Sequence, residues 1–368
     1  GQVIASQKIS ESGLNLTDKS NLDRAWDIHA ERALECTDCH FSLNNPAHSL
    51  DEKAANPDHL TYDPRKLEIG EYLQMPDHNF ARGVSAQFGV APELKSTMRR
   101  CESCHDTNKS HAGWLPYNAR HMQVIACETC HVPQMYAPAY SSVDWTVVRL
   151  DGSARTECRG IEGTDTTTDL VTGYQPVLMQ RTDIEDGRTL LAPYNLVTSF
   201  FWIYKDGSGN LRPVRKADLE AVYLSNGVYA ADVLTAFDAN SDGALSDAEL
   251  VLDTQAKQDL VAGKLAELGL KNVRIYGQVQ PYSINHNVTD SKFATRDCAS
   301  CHNSDSRVTA PILLADSAPT NVTLNFVPGV NVTATGSIVN ENGALYYNPV
   351  NENDKTYIFG HNRIGWID

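Results

Sequence analysis

Hydrophobic and polar positions divide this chain into segments of different periodicity. Residues 1–20 are polar with weak alternation (Val3, Ile4, Ile9, Leu14, Leu16) and predict an edge strand or arm. Asn21 is placed to cap a helix running from Leu22 through Trp26 and His29 toward Cys36. Pro, Asn and Asp break up residues 42–75 and predict loop. A further helix is predicted from Trp114-Leu115-Pro116-Tyr117 through His121 to Cys127. The stretch 132–285 starts Gly/Thr/Asp-rich and then holds the most apolar run, 196–204, which predicts a strand. Helices are predicted after it over 217–225, 229–237 and 247–268. Past 307, alternation with β-branched residues (Val322, Leu324, Phe326, Val330, Val332), punctuated by Gly and Asn, predicts a β-rich tail.

The chemistry-bearing pattern is C-x-x-C-H. It occurs four times, at Cys36-x-x-Cys39-His40, Cys101-x-x-Cys104-His105, Cys127-x-x-Cys130-His131 and Cys298-x-x-Cys301-His302. This is the attachment sequence for c-type haem. Two thiols three residues apart reach the two vinyl groups on one porphyrin edge, and the following His lies under the iron as its proximal ligand. C-x-x-C alone also suits zinc, a disulfide or a thioredoxin-like redox pair, but none of these needs a His directly after the second Cys. His makes up 12 of 368 residues, so four such placements by chance is on the order of one in a million. Four covalent haems are expected, and they use eight of the nine cysteines. Cys158 is left over, by default a buried inert thiol and alternatively an intermolecular bridge.

Sixth ligands decide between moving electrons and binding a substrate. Eight histidines lie outside the motifs, enough for bis-histidine ligation of every iron. His29 precedes His40 by eleven residues and His121 precedes His131 by ten, about three turns of a continuous helix and so nearly one face. His78 and His286 occupy aromatic-flanked segments upstream of the second and fourth motifs. These four are the first choice as distal ligands; His111 and His361 come second. His48 and His59, in Pro-rich loops, read as surface residues, and Met122 is the one suggestive methionine.

A second constellation lies in the 154 residues between the third motif and Asn285. Residues 238–249 match the twelve-residue calcium loop of an EF-hand. Asp238, Asn240 and Asp242 supply side-chain oxygens, and Gly243 makes the turn. Ala244 offers its carbonyl, Ser246 binds directly or through water, and Glu249 binds bidentately. A single loop without a mate predicts a structural Ca²⁺; the bland alternative is an Asp/Asn-rich turn.

The predicted architecture is a mainly irregular/α multihaem cytochrome c with a haem-filled core, plus an inserted α-rich EF-hand-containing domain and a β-rich C-terminal segment. Boundaries are expected at 1–131 (three haems), 132–285 (insert) and 286–368 (fourth haem and tail). A formal charge of −15 and a pI near 5.2 argue against nucleic acid and anionic membranes as partners. No run approaches the 18 or more apolar residues of a transmembrane helix. Haem attachment outside the cytoplasmic membrane implies export, so Gly1 is expected to begin a processed chain in the periplasm or outside the cell. Asn-x-Ser/Thr sequons fall at Asn15, Asn108, Asn287, Asn321 and Asn331.

At the motifs and their flanks the chain resembles exported multihaem c-type cytochromes. Trp26-x-x-His29-x6-Cys36 and His111-x-x-Trp-Leu-Pro-x4-His121-x5-Cys127 look like segments of octahaem tetrathionate reductase-like proteins. The haem count is similar to that of tetrahaem subunits of extracellular cytochrome filaments. The resemblance spans roughly 22–135 and 280–305 and implies electron transfer to other redox proteins or extracellular acceptors. It also implies assembly of like subunits through haem–haem contacts. With four motifs instead of eight and no unusual catalytic motif, a reductase of sulfur or nitrogen oxyanions at an open haem is the alternative.

Overall fold

The computed structural model describes residues 22–32, 34, 36–39, 99–136, 139–159, 173–183, 187–303, 305–327 and 332–349. The arm, the loop at 42–75 and the candidates His40, His48, His59, His78 and His361 lie outside the described residues.

The N-terminal part consists of short helices: α1 (Ile28–Glu31), α2 (Cys36–Cys39), α3 (Thr107–His111), α4 (Asn118–Val124) and α5 (Cys127–His131). After them come β1 (Ala139–Trp145), β2 (Arg155–Arg159), β3 (Val177–Thr182), β4 (Thr189–Lys205) and β5 (Leu211–Pro213). Helix α6 (Lys216–Tyr223), a small hairpin of β6 (Leu224–Ser225) and β7 (Val228–Tyr229), α7 (Ala231–Phe237) and α8 (Gln255–Glu267) lead to β8 (Lys271–Ser283). The tail contributes β9 (Ile312–Ala315), β10 (Leu324–Phe326), β11 (Val332–Thr333), β12 (Ser337–Glu341) and β13 (Ala344–Asn348).

The apolar run at 196–204 is the middle of the 17-residue strand β4. Its side chains are buried in succession, so both faces are covered, as expected of a central strand with few polar positions. β4 pairs along most of its length with antiparallel β8. On its other side it pairs first with antiparallel β3, then with parallel β1 and antiparallel β5. β2 extends the sheet beyond β1, and the tail strands β10 and β11 join it through β8 and β3. Leu190, Ala192, Tyr194, Leu196 and Phe200 form one core with Leu314 and Tyr347 of the separate β12-β13-β9 sheet. Farther along β4, Trp202 enters a second core with Leu219, Val222, Val261 and Leu265 of α6 and α8. Trp202 Nε1 and Tyr223 Oη both donate to the Thr146 carbonyl, 3.0 and 2.9 Å away, anchoring the helices to the sheet.

The region 132–285 is therefore mixed α/β, with strand exceeding helix, and not α-rich as the sequence suggested. The tail is β-rich as expected. Three predicted helices are shorter. Residues 22–26 form bends, and Asp27 caps the four-residue α1 by accepting from His29 N at 2.8 Å. The helix toward Cys127 stops at Ile125 (φ −125°, ψ 130°), which bridges Leu191, while Ala126 N donates to the Leu191 carbonyl at 2.9 Å. The long helix begins at Gln255, not at 247. Leu250, Val251 and Leu252 are all buried, which one helical face cannot achieve for consecutive residues, and Thr254 supplies the N-cap.

Where β2 meets the tail, Arg155 Nη2 lies 2.5 Å from Glu157 Oε1 and 3.2 Å from Asp316 Oδ1. Burial first, then the proton Glu157 donates to Asp316, pushes the Glu157 carboxyl up to about 7. The folded chain thus keeps a proton that an unfolded Glu releases near pH 4.3, so stability falls as pH rises between about 4.3 and 7. Chemical denaturation at pH 5 and pH 8 should show the wild type losing stability across this window. Glu157→Gln should lose less, by on the order of 1 kcal/mol.

Candidate functional site

Each described C-x-x-C unit is a single helical turn. Cys127 and Cys130 stand three apart on α5, on one face. Cys101–Ser103 and Cys298–Ser300 are 3₁₀ turns, the latter capped by Asp297, which accepts from Ala299 N at 3.0 Å. In the second, third and fourth motifs the turn brings the two cysteines three positions apart to one side, and the His follows directly. The turns are held to the rest of the protein mainly by polar contacts. Thr129 donates to the Leu191 carbonyl (2.7 Å), fixing α5 to β4, and Arg307 Nη1 donates to the Thr129 carbonyl (2.9 Å) from just beyond the fourth motif. Arg99 N donates to the Cys39 carbonyl at 2.7 Å, joining the first two motifs. The segment Cys101–Val124 contributes no buried side chain from its helices α3 and α4 or from its 3₁₀ turn, and Trp114 and Tyr117 are exposed. Its surfaces are available to a large apolar group.

The histidines pair across motifs. His105 faces His29 with ring centroids 6.3 Å apart, His131 faces His111 at 6.2 Å, and His302 faces His121 at 6.1 Å. Two metal–nitrogen bonds of about 2.0–2.1 Å plus half of each ring, about 1.1 Å, separate trans-ligating imidazole centroids by about 6.2 Å. The second ring nitrogens are engaged elsewhere. Nδ1 of His111, His121 and His131 donates to the carbonyls of Thr107 (2.8 Å), Tyr117 (3.3 Å) and Thr289 (3.2 Å). A carbonyl only accepts, so in these contacts Nδ1 carries the proton and Nε2 keeps its lone pair for a metal. Burial lowers His131 from its ordinary value and keeps its ring in the neutral, ligating form. Histidine pairs, paired thiols and uncovered surface together fit a covalent porphyrin at the second, third and fourth motifs.

Sulfurs follow the same order. Cys39 neighbours Cys104, Cys101 neighbours Cys127, and Cys130 neighbours Cys301. Consecutive motifs therefore lie side by side in sequence order.

Of the first-choice distal residues, His29 and His121 each stand opposite a motif histidine. His286 lies near Asp27 and His29 on the segment leading to the fourth motif. His111, ranked second, stands opposite His131. No continuous helix links His29 or His121 to its own motif, and each faces the histidine of a later motif. Sequence reasoning also passed over Asp27 and Asn287. Asn287, buried with φ +72°, accepts from Tyr136 N (3.1 Å) and Arg24 Nη2 (3.2 Å) and donates to the Trp26 carbonyl. Its sequon is thereby committed to the fold.

The 238–249 loop has the turn expected of it. Gly243 has φ +85°, a conformation that favours glycine. Asp238 accepts from Gly243 N (2.9 Å), Asn240 from Asp242 N (2.8 Å) and Asp242 from Ala244 N (2.8 Å). Glu249 closes the loop, accepting from Ala239 N (3.0 Å), Ser246 N (2.9 Å) and Ser246 Oγ (2.7 Å). Led by the Ser246 backbone N–H and hydroxyl, these donors hold the Glu249 carboxyl down at about 2. Helix α7 enters the loop, but a turn and not a helix leaves it. Among the described residues no group of three or more His, Cys, Asp or Glu side chains converges in a metal-holding arrangement.

Residues 76–132, which contain the second and third motifs, match the family described as Cytochrome c554 and c-prime. The octaheme cytochrome c from Shewanella oneidensis is similar at 17% identity and a TM-score of 0.37, over 81% of this chain and 60% of that one. This chain thus spans less than two thirds of that protein's length. No curated protein matches the chain. The chain resembles multihaem c-type cytochromes, a class whose haems are bound through C-x-x-C-H motifs.

Proposed function

We propose that this chain is an exported tetrahaem c-type cytochrome that carries electrons along four haems, each gripped on both faces by histidine. The three cross-motif histidine pairs, 6.1–6.3 Å between centroids, carry this reading. Bound haem would supply the one-electron chemistry of its iron. The cysteines of each motif would anchor a porphyrin edge, and the paired imidazoles would leave no position for a substrate. That favours electron transfer over oxyanion reduction. His29 precedes the first motif and faces the second, His111 follows the second and faces the third, and His121 precedes the third and faces the fourth. Such a relay keeps neighbouring porphyrins close enough for tunnelling and runs in one direction.

We read the chain as the repeating unit of an extracellular cytochrome filament, with a histidine near one end completing a haem of the next copy. Other redox proteins or extracellular acceptors would be the final partners. Among the described residues no helix is long and apolar enough to cross a membrane. The 238–249 loop would take a structural Ca²⁺ through Asp238, Asn240, Asp242, the Ala244 carbonyl, Ser246 and Glu249, filled at the abundant calcium outside cells.

Intact mass should show four haems, and the optical spectrum should be low-spin and unmoved by CO or cyanide. His111→Ala should convert one haem in four to a high-spin, CO-binding form. A mass without added haem, or a wild-type spectrum that is mainly high-spin, would overturn the assignment. Electron microscopy of the purified protein should show unbranched filaments; particles of single-subunit size only would remove the polymer from the proposal. Chelation by EDTA should lower the thermal midpoint and Ca²⁺ should restore it. Glu249→Gln should abolish that response, and a midpoint indifferent to both additions in the wild type would rule the metal out.

A further inference from the structure

We propose that Asp27 is a positioning residue that makes the iron between His29 and His105 harder to reduce than those served by His131 and His302. The inference rests on the haem reading above. Asp27 is only 2% exposed, and its two oxygens have separate duties. Oδ1 accepts from His29 N (2.8 Å) and Ala30 N (3.4 Å) and lies 3.5 Å from His29 Nδ1. Oδ2 accepts from Asn287 N (2.9 Å) and Val288 N (3.0 Å) on the segment leading to the fourth motif. Both oxygens accept only, from four backbone N–H groups in all, an arrangement that favours the carboxylate form. A buried carboxylate is therefore held beside the outer nitrogen of His29 by bonds that do not depend on that nitrogen.

The other described ring contacts differ in kind. His111, His121 and His131 each direct Nδ1 at a neutral backbone carbonyl. A carboxylate on Nδ1 makes an imidazole a more basic ligand, and outer partners of this kind tune the metal. Its negative charge, poorly screened in a buried setting, also favours the more positive ferric state. Both effects act in the same direction. They place a step in the potential profile at the second motif, where the first motif's own segment supplies the distal ligand. His286 lies near the same carboxylate from the fourth-motif lead-in, and Arg24 is tied to Asn287 Oδ1 at 3.2 Å.

The test is a reductive titration of the full-length, haem-loaded protein followed optically. Asp27→Asn should move one wave to higher potential by about tenfold in its reduction equilibrium, or about 59 mV for a one-electron couple. The remaining waves should stay, with all haems low-spin. The wave that moves should be the one whose low-spin signature His29→Ala removes. Asn287→Ala cuts the neighbouring bonds to Trp26 and Tyr136 but spares the carboxylate, and should leave that wave unmoved. An unshifted profile in Asp27→Asn, or an equal shift in Asn287→Ala, overturns the inference while four low-spin haems leave the cytochrome reading intact. Should Asp27→Asn not accumulate, the wild-type waves decide. The wave lost in His29→Ala must lie below those lost in His111→Ala and His121→Ala, and any other ranking overturns the inference. A wild-type protein without low-spin haem overturns the underlying reading instead.

Discussion

Two-sided burial of β4 is the constraint on which the rest of the molecule depends. A strand covered on both faces can expose neither backbone nor side chain, so it must lie at the centre of a sheet with a core along it. From that fixed line the molecule extends in two directions. Toward its C-terminal end lie the helices that bracket the calcium-like loop. Toward its N-terminal end the Leu191 carbonyl receives both Ala126 N and Thr129 Oγ1, which sets the position of the third motif.

The motif region has a different physical character. Short helices without buried side chains cannot hold one another by hydrophobic contact, and isolated helices of this length are unstable in water. Backbone bonds made by arginine, threonine and aspartate side chains, together with imidazole pairs at metal-spanning separation, take the place of a core. In the proposed holoprotein each porphyrin would supply the apolar mass its motif lacks and join two segments of chain through its axial histidines. Cofactor and tertiary structure would then be the same contact.

Much of this was legible in the sequence because attachment chemistry is local. C-x-x-C-H fits within one helical turn, and the calcium-like loop is twelve consecutive residues. The β-rich tail and the strand at 196–204 also announced themselves. What was not legible depends on contacts between distant segments. His111 was ranked second because neither helical spacing nor flanking aromatics reveals that the fold sets it opposite His131, twenty residues on. Asp27 looked like an ordinary polar residue because Asn287 and Val288, which hold it, lie about 260 positions away. One signal was available and went unread: Val273, Ile275, Gly277 and Val279 alternate through β8, and that period of two marks a strand where none was predicted.

The Cys101 and Cys127 thiols lie side by side, which bears on how the proposed holoprotein would mature. Sulfurs from two different motifs in contact are one oxidation away from a crosslink that would deny both motifs their thioethers. A haem-carrying chain of this kind would therefore need a reductant until its thiols were capped. In the proposed holoprotein, haem attached at one motif would in turn shield the thiols of the next.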